Sequence, residues 1–162
     1  MTIDIREATR DDWSGIWAIF QIVVGAGDTY SYAPDTSESE ARRLWFTAPA
    51  RTYVAVDNGV IVGTYMLRPN QPGLGAHVSN AGFMVSPEGA GRGIGRAMGE
   101  HALEQARLQG YRAMQFNFVV STNGRAIGLW KSLGFSIVGT VPDAFDHRQK
   151  GFVDIHIMHR RL

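Results

Sequence analysis

The chain has 162 residues, which is enough for one domain with a single sizeable core. Its 16 basic and 15 acidic residues leave a formal net charge of +1, so no overall field recruits nucleic acid. The absence of cysteine excludes disulfides, thiolate metal sites and a cysteine nucleophile. The sequence contains no apolar run of membrane-spanning length and no signal-peptide pattern. We expect a cytoplasmic protein with no membrane or nucleic-acid partner, and we predict no metal site.

Two helices and three strands are predicted in the first half of the chain. The hydrophobic periodicity indicates a strand at 3–5, helices at 13–24 and 37–48, and strands at 52–56 and 60–67. The turn Asp57-Asn-Gly59 joins the last two strands and predicts a hairpin. The loop between the two helices, residues 28–34, is unusually aromatic for a connector, because it carries Tyr30 and Tyr32.

The second half alternates strands and helices. Its predicted elements are a strand at 77–85, a helix at 93–109, a strand at 113–120, a helix at 123–133, and strands at 135–141 and 152–158. The resulting order, β-α-α-β-β-β-α-β-α-β-β, predicts one α/β domain over residues 1–162, with about four helices and a mixed, mostly antiparallel sheet. The unit built around helix 93–109 is expected to be a parallel, right-handed crossover.

A glycine-rich turn joins the strand at 77–85 to the helix that follows it. Glycine occupies every second position there, at residues 89, 91, 93 and 95. Such a turn presents unpaired backbone N–H groups and the positive end of a helix dipole to an anion. The spacing matches neither the dinucleotide fingerprint nor the P-loop. We predict a pyrophosphate site, and a flexible turn before an ordinary helix is the alternative.

A second motif lies downstream and reads Asn123-Gly-Arg-Ala-Ile-Gly-Leu-Trp-Lys-Ser-Leu-Gly-Phe135. Together with Val85-Ser-Pro-x-x-x-Gly-Arg-Gly-Ile-Gly95, it resembles the GNAT superfamily of acetyl-CoA-dependent N-acetyltransferases. The resemblance covers nearly the whole chain. The trio Asn80, Asn117 and Asn123 is similar to the branch that acetylates proline-like imino acids such as azetidine-2-carboxylate, and the phosphinothricin-type branch is the other candidate.

The resemblance implies how a cofactor, acetyl-CoA, is held. The strand that ends at Val85 is expected to splay from its neighbour, so that the pantetheine arm lies in the gap and pairs with the backbone. The pyrophosphate is expected on the amides of the glycine turn. The cofactor-binding residues that follow from this are Phe83, Met84, Val85, Gly91, Arg92, Gly93, Ile94, Gly95, Arg96 and Asn123. A helix N-cap alone would also explain Asn123.

Two positions depart from the family pattern. Ala90 stands where the phosphate loop often has Arg or Gln, and Arg92 either supplies that charge or faces solvent. Trp130 stands where many members have a tyrosine that protonates the departing thiolate, and an indole cannot do so at neutral pH. A thiol leaves readily near neutral pH, so water can carry this proton.

Two mid-strand asparagines are the candidate catalytic and substrate residues. Asn80 and Asn117 need hydrogen-bond partners in the sheet. Either they bridge the splayed strands, or they contact the substrate amine or carboxylate near the oxyanion, for which a backbone N–H near Val85 is the natural donor. Tyr30 and Tyr32 lie where family members build the acceptor pocket, and loop packing is their alternative role.

The base that takes the amine proton is not fixed by the sequence. The candidates are Asp28, His77 and His147, and a chain of ordered waters is equally suitable. Our main hypothesis is an N-acetyltransferase that moves an acetyl group by direct attack onto a small-molecule amine or amino acid. The alternatives are a non-catalytic sensor of CoA or acetyl-CoA and an acetyltransferase of protein N-termini. The resemblance implies a homodimer.

Overall fold

The computed structural model describes residues 2–162, which form a sheet of seven strands with helices on both faces. The strands are β1 (Asp4–Glu7), β2 (Arg51–Asp57), β3 (Val60–Pro69), β4 (Val78–Val85), β5 (Ala113–Val120), β6 (Ser136–His147) and β7 (Gly151–Arg161). The helices are α1 (Trp13–Gly25), α2 (Glu38–Trp45), α3 (Ile94–Leu108) and α4 (Gly124–Ser132).

The strand order is β1-β2-β3-β4-β5-β7-β6, and every neighbouring pair is antiparallel except β4 with β5. The prediction of a mixed, mostly antiparallel α/β sheet is therefore confirmed. β4 and β5 are parallel, and α3 provides the long connection that parallel neighbours need.

Both faces of β2 and β3 are buried over most of their length, which explains their nearly continuous apolar sequence. Successive residues of a strand point to opposite faces. Accordingly, Tyr53 and Tyr65 pack in the core that includes α3 and α4, whereas Val54 and Met66 pack in the core that includes α1 and α2. The sheet is thus clamped between two helix pairs.

A charged cap fixes the start of the first helical region. The backbone N–H of Thr9 donates to Asp12 Oδ2 at 2.7 Å, and the Arg6 guanidinium donates to the same carboxylate at 2.8 Å. These contacts lower the pKa of Asp12 to about 2, chiefly because Arg6 hydrogen-bonds to the ionised form. The carboxylate therefore stays charged over the physiological range.

The last hairpin is longer than the sequence predicts. The predicted ends at 141 and 158 are wrong, because β6 continues to His147 and β7 to Arg161. Pro142 and Asp143 look like a turn, but a bulge between Val141 and Phe145 absorbs them, with Asp143 at φ 50°. The N–H of Asp143 donates to the side chain of Asp154 in β7 at 3.0 Å, so the two strands stay joined.

No helix in the described range 2–162 is both long enough and apolar enough to cross a membrane.

Candidate active site

The sheet is split between its two central strands. β4 and β5 are each eight residues long, yet only the pairs Val78–Ala113 and Ser79–Met114 are in register. The fork begins at Asn80, whose side-chain amide donates to the carbonyl of Gln115 at 2.9 Å. Beyond that bridge the two strands diverge, and β5 stays with β7. The predicted splaying of the central strands is confirmed.

Two residues of β4 direct their backbone N–H and C=O groups into this split. Ser86 N donates to Val62 O on β3 at 2.9 Å, and Thr64 lies opposite Met84. In an antiparallel ladder only alternate residues direct their backbone groups at a given partner. The N–H and C=O groups of residues 83 and 85 therefore face away from β3 and into the split. These are the groups that the family resemblance assigns to the pantetheine arm.

A cavity of about 580 Å³ extends through the split. It runs from the C-terminal end of α1 and the loop at 28–32, past β3, β4 and β5, to the first turns of α4. The predicted site residues that line it are Asp28, Tyr30, Tyr32, Asn80, Phe83, Met84, Val85, Asn117, Asn123 and Trp130. Residues from two helices, the loop at 28–32 and three strands are thus brought to one place.

Two of the proposed bases lie outside this cavity. His77 is exposed in the turn before β4. His147 is buried, and its Nδ1 accepts hydrogen bonds from the N–H groups of Gln149 and Lys150, so it caps the β6–β7 turn. Asp28 is the one carboxylate among the described cavity-lining residues.

Each asparagine of the predicted trio has a structural partner. Asn80 bridges the fork, as described above. Asn117 is exposed on β5 and donates to Asn70 Oδ1 at 2.7 Å, on the far side of the split. Asn123 caps α4 by accepting from Ala126 N at 3.3 Å. The bridging and capping interpretations are confirmed, and their contacts with substrate or cofactor stay predictions.

The aromatic loop is anchored to the open strand. Tyr30 Oη donates to Phe83 O at 2.8 Å. Its ring stacks on Tyr32, with centroids 5.6 Å apart, and meets the edge of Trp45 at 5.9 Å. Burial raises the pKa of Tyr30, and the nearby Tyr32 adds to the rise. Burial also raises the pKa of Tyr32, so both hydroxyls keep their protons at neutral pH.

Arg68 is a site residue that the sequence analysis missed. It lines the cavity from β3, opposite Asn80 in the register, and its charge opposes the rise in the pKa of Tyr32. None of the ion pairs among residues 2–162 involves Arg68. Strand alternation could have found it, because Met66 and Arg68 share a face and Met66 is buried under α1.

The glycine turn forms an open cradle of backbone amides. Gly91 and Gly93 have φ values of 76° and 78°, a region that favours glycine. A Cβ added to Gly93 would meet no atom within 4 Å. The first hydrogen bond of α3 runs from Ala97 N to Gly93 O at 3.0 Å, so the amides of residues 94–96 lack helical acceptors. The turn therefore offers open backbone donors to an anion.

The arginines around the cradle differ in the groups that their side chains contact. Arg92 is exposed, as one of the two sequence interpretations has it, and it pairs with Asp57 in the β2–β3 hairpin. Arg96 donates to Ser132 Oγ at 2.6 Å. Arg125, from the first turn of α4, holds Nη2 3.8 Å from where a Cβ on Gly91 would lie, and no ion pair within the described chain involves it. The sequence analysis also missed Arg125, although it lies within the second motif.

A split sheet, an amide cradle at the start of a helix and a cavity through the split together define an acetyltransferase domain. The chain belongs to the Acetyltransferase (GNAT) family, which it matches over residues 6–135. The family predicted from the two sequence motifs is thereby confirmed.

Several known proteins are similar to the chain. It is 46% identical to a GCN5-related N-acetyltransferase from Kribbella flavida, with a TM-score of 0.95 over 99% of this chain and 98% of that one. It is 25% identical to a phosphinothricin acetyltransferase from Sinorhizobium meliloti, solved in complex with AcCoA, with a TM-score of 0.87 over 100% and 89% of the two chains.

Among curated relatives, the chain is 32% identical to the L-methionine sulfoximine/L-methionine sulfone acetyltransferase of Pseudomonas paraeruginosa, over 88% of this chain and 85% of that protein. Two yeast relatives are longer proteins, and the chain spans 47% and 13% of their lengths.

Proposed function

We propose that this protein transfers the acetyl group of acetyl-CoA directly to the amine of a small amino acid or amino-acid analogue. The observation that carries the proposal is Arg68, a cation that lines the cavity at the split sheet without an acidic partner in the described chain. A guanidinium in such a position recognises a carboxylate. The phosphinothricin and methionine sulfoximine acetyltransferases similar to this chain are named for substrates of that class.

The residues fit the cofactor at three points. The amides of residues 94–96, which have no helical acceptor, form a cradle for the pyrophosphate, and the guanidinium of Arg125 lies beside it. The N–H of Phe83 and the backbone groups of Val85 face the split along the path of an extended arm, and the carbonyl of Phe83 accepts from Tyr30 Oη. Asn123 lines the same cavity at the start of α4. Acetyl-CoA supplies an acetyl group on a thiol that leaves readily near neutral pH.

The acceptor is oriented by its two polar ends. Arg68 holds the carboxylate, so the amine points away from β3 and toward the exposed backbone of β4. Apolar side chains of α1, β4 and β5 line much of the remaining wall, which suits an aliphatic side chain. The N–H of Val85 faces the split and stabilises the oxyanion that forms on attack. Holding both substrates in one gap supplies the positional advantage.

Proton transfer relies on solvent more than on a buried acid–base pair. Tyr30 and Tyr32 have raised pKa values because they are buried, so neither can act as a base at neutral pH. The Trp130 indole cannot protonate the leaving thiolate. Asp28 alone offers a carboxylate among the lining residues that the structure describes. We propose that the amine loses its proton to Asp28 or to water, and that the thiolate departs unassisted.

A single acceptor panel tests the proposal. Purified protein is given acetyl-CoA with methionine sulfoximine, methionine sulfone, phosphinothricin and azetidine-2-carboxylate, and with the methyl ester of each. We expect CoA release with one or more of the free acids and much slower release with the matching ester. Transfer to a peptide N-terminus, but to no small acceptor, would instead make this a protein acetyltransferase.

A non-catalytic sensor is the second candidate, and the loss of the tyrosine acid at Trp130 favours it. Calorimetry separates the two candidates. Tight binding of acetyl-CoA with no transfer to any acceptor would support the sensor, whereas turnover with any member of the panel would exclude it.

A further inference from the structure

We infer that the Tyr30 hydroxyl holds the N–H of the acceptor amine beside the open edge of β4, and is a catalytic residue in that sense. This inference rests on the proposed function and deepens it. It starts from the 2.8 Å hydrogen bond that Tyr30 donates to the carbonyl of Phe83. That carbonyl belongs to the backbone that faces the split. The phenol oxygen therefore lies at the edge of the gap in which the acetyl group is to be transferred.

The direction of hydrogen bonding at the Tyr30 hydroxyl is fixed. A phenol has one proton, and here that proton is donated to Phe83 O. Burial raises the pKa of Tyr30, so the proton is retained across the working pH range. The oxygen can therefore offer only its lone pairs to a molecule in the cavity. It is an acceptor of hydrogen bonds and has no proton left to donate.

An acceptor at this place suits the nucleophile. A neutral amine attacks through its own lone pair, and its N–H groups must then be held by acceptors. A donor at the same place would bind the lone pair and block the attack. The Tyr30 oxygen holds an N–H and leaves the lone pair free to approach the edge of β4. With the carboxylate on Arg68, the amino acid is bound at both ends.

The surroundings hold the Tyr30 ring in one orientation. Tyr32 stacks on it and Trp45 meets it edge-on. The close approach also requires Gly82, which lies in the middle of β4. A Cβ on Gly82 would come within 3.2 Å of both Tyr30 Oη and the indole of Trp45. A glycine inside a strand marks such a close approach. The position of the hydroxyl is therefore set before the substrate arrives.

The test compares three variants with the wild-type protein on its best acceptor from the panel. Tyr30→Phe removes only the hydroxyl, and Gly82→Ala pushes the ring away from β4. Tyr111→Phe is the control, because Tyr111 is half-buried at the edge of the core on the α3 side and does not line the cavity. Acceptor kcat/KM, the Kd of acetyl-CoA by calorimetry and the melting temperature are measured for each.

We expect Tyr30→Phe to lower acceptor kcat/KM by about ten- to one-hundred-fold, because one well-placed hydrogen bond is lost. Gly82→Ala should also lower acceptor kcat/KM, and Tyr111→Phe should leave acceptor kcat/KM within about twofold of the wild-type value. The Kd of acetyl-CoA should stay within about twofold in Tyr30→Phe, since the cradle lies elsewhere.

Three outcomes count against the inference. If Tyr30→Phe keeps full acceptor kcat/KM while the wild type is active, the role of Tyr30 is wrong and the proposed function stands. If its melting temperature and its acetyl-CoA affinity fall together with activity, the hydroxyl is structural. If the wild type turns over no acceptor, the proposed function fails, and the role of Tyr30 fails with it.

Discussion

The two ends of the cleft are built from different parts of the chain. The end that we propose for the cofactor is a backbone site, in which Gly91, Gly93 and the first amides of α3 form a cradle within six consecutive residues. The end that we propose for the acceptor is a side-chain site, in which Tyr30, Arg68 and Asn80 arrive from a loop and two strands. A backbone site needs a local sequence that frees its amides, whereas a side-chain site needs a fold that brings distant residues together.

The comparison predicts that each end can be damaged without the other. A change in the glycine turn should act on acetyl-CoA alone, and a change in Arg68 or Tyr30 should act on the acceptor alone.

Substitution in the cradle should have the largest effect. Gly93→Val introduces a β-branched side chain at φ 78° and covers the amides of α3. We expect the affinity for acetyl-CoA, measured by calorimetry, to fall by more than about one-hundred-fold, since several amide contacts are lost together.

The matched control for this strain is Gly110→Val. Gly110 has φ 83° and likewise has no atom within 4 Å of an added Cβ, but it lies after the other end of α3. Both variants should lose similar stability, and only Gly93→Val should lose affinity. Equal affinities in the two variants would mean that the cradle holds no part of the cofactor.

Arg68→Met should damage the acceptor end alone. The substitution keeps an apolar stem of similar length and removes the charge that we assign to the substrate carboxylate. We expect acceptor kcat/KM for the free acid to fall by about thirty- to one-hundred-fold, as a charge-assisted hydrogen bond is lost.

The methyl ester of the acceptor is the control for Arg68, because it carries no carboxylate. Its kcat/KM should be nearly the same in the wild type and the variant, and the Kd of acetyl-CoA should not change. An equal loss of kcat/KM with the acid and the ester would show that Arg68 shapes the pocket and does not bind the carboxylate.

Arg125→Ala should weaken the cofactor end by a smaller factor. The guanidinium is exposed beside Gly91, where solvent screens its attraction for a phosphate. We expect the Kd of acetyl-CoA to rise by about three- to tenfold at low salt and by less at high salt. Arg107→Ala, near the opposite end of α3, is the control and should leave the Kd unchanged. A salt-independent loss would contradict a phosphate contact.

Asp12→Asn should lower the stability of the fold and leave both acetyl-CoA binding and acceptor kcat/KM unchanged. The folded pKa of Asp12 is about 2, below its ordinary value of 3.8, so its ionised form stabilises the fold above pH 4. That contribution is lost as the pH falls from about 4 toward 2. Because Arg6 is partly exposed, we expect a loss of about 1 kcal/mol at pH 7, measured by urea unfolding. The difference from wild type should vanish only below about pH 2, where the carboxyl is protonated in the folded and the unfolded state, and a difference that persisted there would contradict it.

The sequence alone determined the order of the elements, the parallel β4-α3-β5 unit and the glycine turn. These features depend on local periodicity, on turns such as Asp57-Asn-Gly59 and on glycines that take positive φ. The ends of the last hairpin were not predictable, because at the bulge the N–H of Asp143 donates to the side chain of Asp154, which lies eleven residues away on the next strand.

Which side chains meet in the cleft depends on how the distant segments pack together. Tyr30 and Phe83 are 53 residues apart, and their hydrogen bond exists because Gly82 lets the aromatic loop reach β4. Arg68 and Arg125 look like ordinary surface cations in the sequence, since charge carries no periodic signal of where it points. Backbone amides are present at every residue and need only local geometry to be exposed, but a side-chain site exists only after packing has fixed every wall around it.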